Sequence, residues 1–189
     1  MKVFYSDNFV LPLPKGHRFP MVKYSMLRER VARDGICGLG ELRTPRAVTD
    51  EEILRAHVPD YLKRVASGTL TEKEVRRIGF PWSEKMVERS RRASGATLGA
   101  CLAALDEGLA ANLAGGTHHA FSDRGEGYCV FNDSAIAARA VQAAGLVERV
   151  VVIDTDVHQG TGRRRSCGEI PRCLRTRSIA RRTFPSTKR

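Results

Sequence analysis

Apolar and polar positions along this chain follow two periods in turn, and the switches between them mark its elements. Val3-Phe4-Tyr5 is a short run of strand formers and predicts a first strand, while Lys23 to Ala32 predicts a helix closed before Gly35. Thr49-Asp50-Glu51-Glu52 opens a short helical segment through Ile53-Leu54-Arg55-Ala56-His57. There the Thr hydroxyl and the Glu carboxylate can each satisfy an orphan amide. Asp60 to Ala66 predicts another short helix, and Thr71-Glu72-Lys73-Glu74 repeats the capping signal ahead of a segment closed by Gly79. The longest helix is expected from about Ser83 to Asn112, and its Gly, Ala and Leu content suits close packing against a sheet. Ser134 to Ala144 predicts a further helix capped by Asn132 or Asp133. The continuous run Val150-Val151-Val152-Ile153 predicts a strand buried on both faces. Strands alternating with helices favour an α/β fold with a parallel sheet.

Charge separates the chain into two parts. Residues 163–189 hold nine Arg and one Lys against Glu169 alone, a local net of +9 within the chain's +11. Residues 1–162 are therefore close to neutral, and the basicity that would suggest nucleic acid belongs to the tail only. No run approaches the roughly 18–20 apolar residues that span a membrane, and the N-terminus has no apolar signal core. Five cysteines (37, 101, 129, 167 and 173), odd in number and without CxxC spacing, argue against a disulfide framework and for a reducing cytoplasm.

Three segments carry the candidate chemistry. Asp154-Thr155-Asp156-Val157-His158-Gln159-Gly160 places two carboxylates and an imidazole at alternate positions just past a strand, where open α/β sheets collect ligands. Two anionic oxygens and a neutral imidazole suit zinc or a similar divalent ion, and the bland alternative is a set of turn-capping carboxylates. Gly115-Gly116-Thr117-His118-His119-Ala120 sets an adjacent histidine pair in a glycine-rich loop, where one imidazole can serve as a base. Gly125 to Asp133 reads either as a turn leading into a helix cap or as the wall of a substrate channel.

In this order and spacing the three segments resemble those of the zinc-dependent histone deacetylase superfamily, its bacterial and class IV-like branch above all. Lys15 to Met21 and His57 to Leu62 resemble the family's N-terminal motifs, so the resemblance covers residues 1–162. It implies an arginase/deacetylase-like α/β fold, a parallel sheet with flanking helices, of which this chain is the N-terminal portion. The implied reaction removes an acyl group from an N-acyl-lysine or acylated amine by metal-activated water. By position, Asp156 and His158 are implied to bind Zn2+. His119 is implied as the general base and His118 as its electrostatic partner, oriented by Asp154, whose carbonyl region also helps to hold a structural K+. Gly127 and Tyr128 are implied to line the substrate channel. Thr161 stands where many members place an Asp or Asn facing the second histidine, and its hydroxyl brings no negative charge to that place. The family's third zinc ligand, a distal Asp, and its oxyanion-stabilising Tyr have no counterpart in these 189 residues. Weak zinc binding and low activity are expected of this form, since one lost oxyanion donor costs roughly 10²–10³ in rate.

The division expected is therefore a partial deacetylase domain over 1–162 and a basic, disordered or out-of-frame tail over 163–189. Read one phase over with permissible codons, the tail resembles the family's continuation, which points to a frameshift near codon 162. The competing expectation is a non-catalytic module whose tail binds nucleic acid or an acidic partner with steep salt dependence. A manganese hydrolase of the arginase type is disfavoured by the histidine pair and the tyrosine segment. Missing strands would expose an apolar edge.

Overall fold

A computed structural model describes residues 1–156 and 173–175. Strand β1 (Lys2–Phe4) lies at the centre of a three-stranded parallel sheet, between β2 (Leu42–Arg43) and β3 (Ala110–Asn112). The registers are Val3 opposite Leu42 on one side and opposite Ala111 on the other. Val3 is almost fully buried there. A second parallel pair joins β4 (Val150–Val152) to β5 (Cys173–Arg175). Parallel sheet with flanking helices is the architecture, as the sequence predicts.

The helices form where local chemistry asks for them. Helix α1 (Lys23–Arg33) ends just ahead of Gly35. Helix α2 (Asp50–Leu54) and helix α4 (Glu72–Ile78) each begin with a complete capping box, Thr49 with Glu52 and Thr71 with Glu74. Between them, α3 (Pro59–Ser67) starts with proline in its first turn, where the missing N–H costs nothing. The long helix α5 (Glu84–Glu107) is capped by the Ser83 hydroxyl on the Met86 amide. Helix α6 (Asp133–Ala143) is capped by Asn132. The largest buried side chains, Tyr61, Phe131, Ile53, Ile78, Met86 and Ile136, come from these helices and the segments between them and meet in one core.

Two expectations need correction. Helix α5 stops at Gly108, which takes φ +80° and donates its amide to the Ala104 carbonyl. The residues Ala110–Asn112, predicted as its last turn, form β3 instead. A left-handed glycine ends a helix more firmly than an alanine-rich sequence prolongs it. The second correction concerns β4. Its Val151 is 51% exposed and the following Ile153 71% exposed, so this run is not buried on both faces. Among the described residues β4 pairs with β5 alone, outside the β2-β1-β3 sheet, and lacks the covering layers of a central strand.

Among the described residues no disulfide joins Cys37, Cys101 or Cys129, and no helix is long and apolar enough to cross a membrane.

Candidate active site

The histidine loop leaves the carboxyl end of β3. Asn112 launches it: the side-chain amide donates to the Ala93 carbonyl and to Thr97 Oγ1, and its Oδ1 accepts from the Ala114 amide. The chain then turns through Gly115 and Gly116, and the His118 amide closes a tight turn on the Gly116 carbonyl at 2.8 Å.

His118 is buried, and its Nδ1 lies 2.9 Å from Asp154 Oδ2. An ionised carboxylate only accepts, so Nδ1 carries the hydrogen of this contact. The other Asp154 oxygen accepts from the Asp156 amide at 3.1 Å. The two oxygens of Asp154 are thus engaged, one by the histidine loop and one by its own segment, and the side chain of Asp156 stands exposed beside it. This distinguishes the two carboxylates of the alternating pattern, one turned to an imidazole and one at the surface.

The His119 ring packs edge-on against that of His118, with centroids 4.2 Å apart and planes at 67°. Gly127 also approaches it closely. A Cβ at Gly127 would sit 3.1 Å from His119 Cδ2, and its φ of +55° also favours glycine. Tyr128, with φ +65°, is the non-glycine residue in the left-handed region among the described residues. Its ring joins Phe19 at 4.9 Å, Phe80 at 5.1 Å and His17 at 6.1 Å between centroids. His17 is itself fixed by Nε2 to the Gly79 carbonyl at 2.9 Å.

An open cavity of about 540 Å³ borders His118, Asp154 and Asp156, with Gly115, Gly116 and Ser134 on its other wall. Among the described residues no three His, Cys, Asp or Glu side chains gather as a metal site. Asp156 offers one exposed oxygen donor of the right hardness, which does not by itself make up a zinc site. The expected ligand His158 and the expected orienting Thr161 lie outside the described residues.

The sequence marks His57 to Leu62 only by resemblance and gives His57 and Tyr61 no role, which the structure supplies as support beside this loop. His57 is buried, and its Nε2 accepts the Asn132 amide at 3.0 Å. The Tyr61 hydroxyl, also buried, donates to the Val130 carbonyl at 2.8 Å. Burial lowers the His57 pKa from 6.5 to about 4, against the opposing pull of the Ser122 and Phe121 carbonyls and of Asp123. The neutral form is the one that folds. Stability is therefore fully present above pH 6.5 and is lost as pH falls towards 4, by about 3 kcal/mol in all. Urea unfolding at pH 7 and pH 4.5 is expected to show most of this loss in the native chain and little of it in His57→Gln. Equal slopes would refute the assignment.

The histone deacetylase domain family matches residues 17–189. The uncharacterized protein SYNPCC7002_A1628 of Picosynechococcus sp. is 44% identical over 160 residues, covering 85% of this chain and 53% of that protein. The acetoin utilization protein AcuC of Bacillus subtilis is 33% identical over 159 residues, 79% of this chain and 40% of its own length. The chain thus spans about half or less of these relatives. The crystal structure of an HDAC homolog from Aquifex aeolicus superposes with a TM-score of 0.76 at 26% identity, covering 92% of this chain and 49% of that one. An HDAC homolog complexed with SAHA matches with the same scores.

Proposed function

The chain belongs to the histone deacetylase family, and from that premise we propose that it supplies one half of the reaction centre of an amide hydrolase. The substrate class is an N-acyl-lysine or another acylated amine. The observation that carries this reading is the 2.9 Å contact between His118 Nδ1 and Asp154 Oδ2, with the His119 ring packed against His118.

In this reading Asp154 holds the His118 imidazole in one tautomer, and His118 in turn sets the field around His119. His119 takes a proton from the attacking water and returns it to the departing amine. Tyr128, with Phe19 and Phe80 packed around it, forms an apolar wall that keeps water off the aliphatic stem of the substrate. The Gly127 carbonyl, which accepts from the Cys129 thiol at 3.5 Å, keeps a second lone pair for the substrate amide. Asp156 and His158 are the residues that would hold Zn2+, with Thr161 beside His119 and a structural K+ near Asp154. A divalent ion bound there would supply Lewis acidity and a lowered pKa for water.

The test joins the chain to the parts its length does not carry. Alone, it is expected to hold Zn2+ loosely and to cleave an acetyl-lysine coumarin peptide slowly. Adding the C-terminal half of the Picosynechococcus relative is expected to raise turnover by roughly 10²-fold or more, the worth of a restored oxyanion donor. Absence of zinc-dependent turnover in both cases would overturn the reading.

A further inference from the structure

We infer that Asp133 is the positioning residue of the His118–His119 pair, and that with Asn132 it clamps the histidine loop on both sides of the two imidazoles. Asp133 is 1% exposed, at the first residue of α6. Its Oδ2 accepts from the Gly116 amide at 2.9 Å and from Thr97 Oγ1 at 2.6 Å. Its Oδ1 accepts from the Thr117 amide at 2.8 Å and from Thr117 Oγ1 at 2.7 Å. Asn132, fully buried, donates Nδ2 to the Ala120 carbonyl at 2.9 Å while its Oδ1 caps α6 at Ala135.

Capping does not account for this arrangement. Asn132 already caps the helix, and every hydrogen bond from the Asp133 carboxylate leads to the histidine loop or to α5. Two of them seize consecutive amides immediately before His118, and the Asn132 bond seizes the carbonyl immediately after His119. The loop can come this close because residue 115 is glycine. A Cβ there would meet Asp133 Oδ2 and Asn112 Nδ2, each at 2.7 Å. A buried carboxylate held by four donors is fixed in place, since rotating it would break several of these bonds at once. The histidine pair therefore takes its position from the start of α6, and its partner Asp154 takes its own from β4. Asp133 touches no reacting atom and acts through the loop backbone.

The meaning of this clamp rests on the proposed hydrolase reading, but its test does not use hydrolysis. The full 189-residue chain, labelled with ¹⁵N, is studied by imidazole nitrogen spectra at pH 8 and by amide exchange. The native chain is expected to show His118 in a single tautomer, protonated at Nδ1. In Asp133→Asn the two ring nitrogens are expected to average, and the Gly116 and Thr117 amides to exchange roughly tenfold faster. Ser83→Ala removes the cap of α5 on the Met86 amide, far from the histidine loop, and is expected to lower Tm without moving either signal. Should Asp133→Asn fail to fold, Thr117→Val takes its place and is expected to loosen His118 in the same way. An unchanged His118 signature in the folded loop variant, or an equal disturbance in Ser83→Ala, would overturn the inference. Loss of turnover with these spectra intact would count against the hydrolase reading alone.

Discussion

Gly95→Ala is expected to destabilise the chain by about 3 kcal/mol or more, although alanine is the better helix former. On an open helix the substitution would add up to about 1 kcal/mol of stability. Here the new Cβ would fall far inside van der Waals contact with the Arg46 carbonyl oxygen and 3.0 Å from its carbon. Both are backbone atoms and cannot swing aside as the end of a flexible side chain would. Helix α5 would have to withdraw from residues 45–48. That seam is sewn by Arg92 Nη1 to the Pro45 carbonyl at 2.8 Å, and by Arg91 Nη1 to the Val48 carbonyl and the Val48 amide to the Arg91 carbonyl, both at 3.2 Å. Withdrawal stretches all three. Thermal unfolding should show Tm lower by roughly 10 °C, at about 2–4 °C per kcal/mol for a chain of this size. A Tm equal to or above that of the native chain would show that the seam yields freely.

The same glycine illustrates what the sequence makes legible. Gly and Ala along α5 announce close packing, but the element that packs there, residues 45–48, is distant in sequence. Both capping boxes can be read directly because each is complete within four residues. Strands β2 and β3 cannot, being two and three residues long with Ala-Ala-Asn in the latter. Their strand character comes from pairing with β1 and not from their own side chains. At the site, local motifs mark His118, His119, Asp154 and Asp156 individually. The bond between His118 and Asp154 spans 36 residues and needs the fold to form. Asp133 was hidden by a sound local reading: an Asn-Asp pair before an alanine-rich run signals a helix cap, and Asn132 alone fills that role. The partners of the Asp133 carboxylate lie 16 to 36 residues away, beyond any local pattern.

His119→Ala, made in the chain complemented by the C-terminal half of its relative, is expected to lower kcat/KM for an acetyl-lysine peptide by roughly 10²–10⁴, the usual worth of a positioned general base. The loss should appear in kcat, because the imidazole is proposed to act on the proton in flight and not on the bound acyl-lysine. Zinc affinity should hardly change, since His119 is no part of the proposed ligand set of Asp156 and His158. Asp154→Asn separates the second histidine from the first. The amide keeps the size of the carboxylate but not its charge, so His118 loses the partner that holds Nδ1 protonated at 2.9 Å. Its rate should also fall while His119 stays in place, and the double variant should lose much less than the product of the two single losses, as residues acting as a unit do. Two outcomes would end the assignment. If His119→Ala weakens zinc binding along with turnover, the residue is a ligand. If both single variants retain the native rate, the proton passes elsewhere, and the contact between His118 and Asp154 serves only to hold the loop.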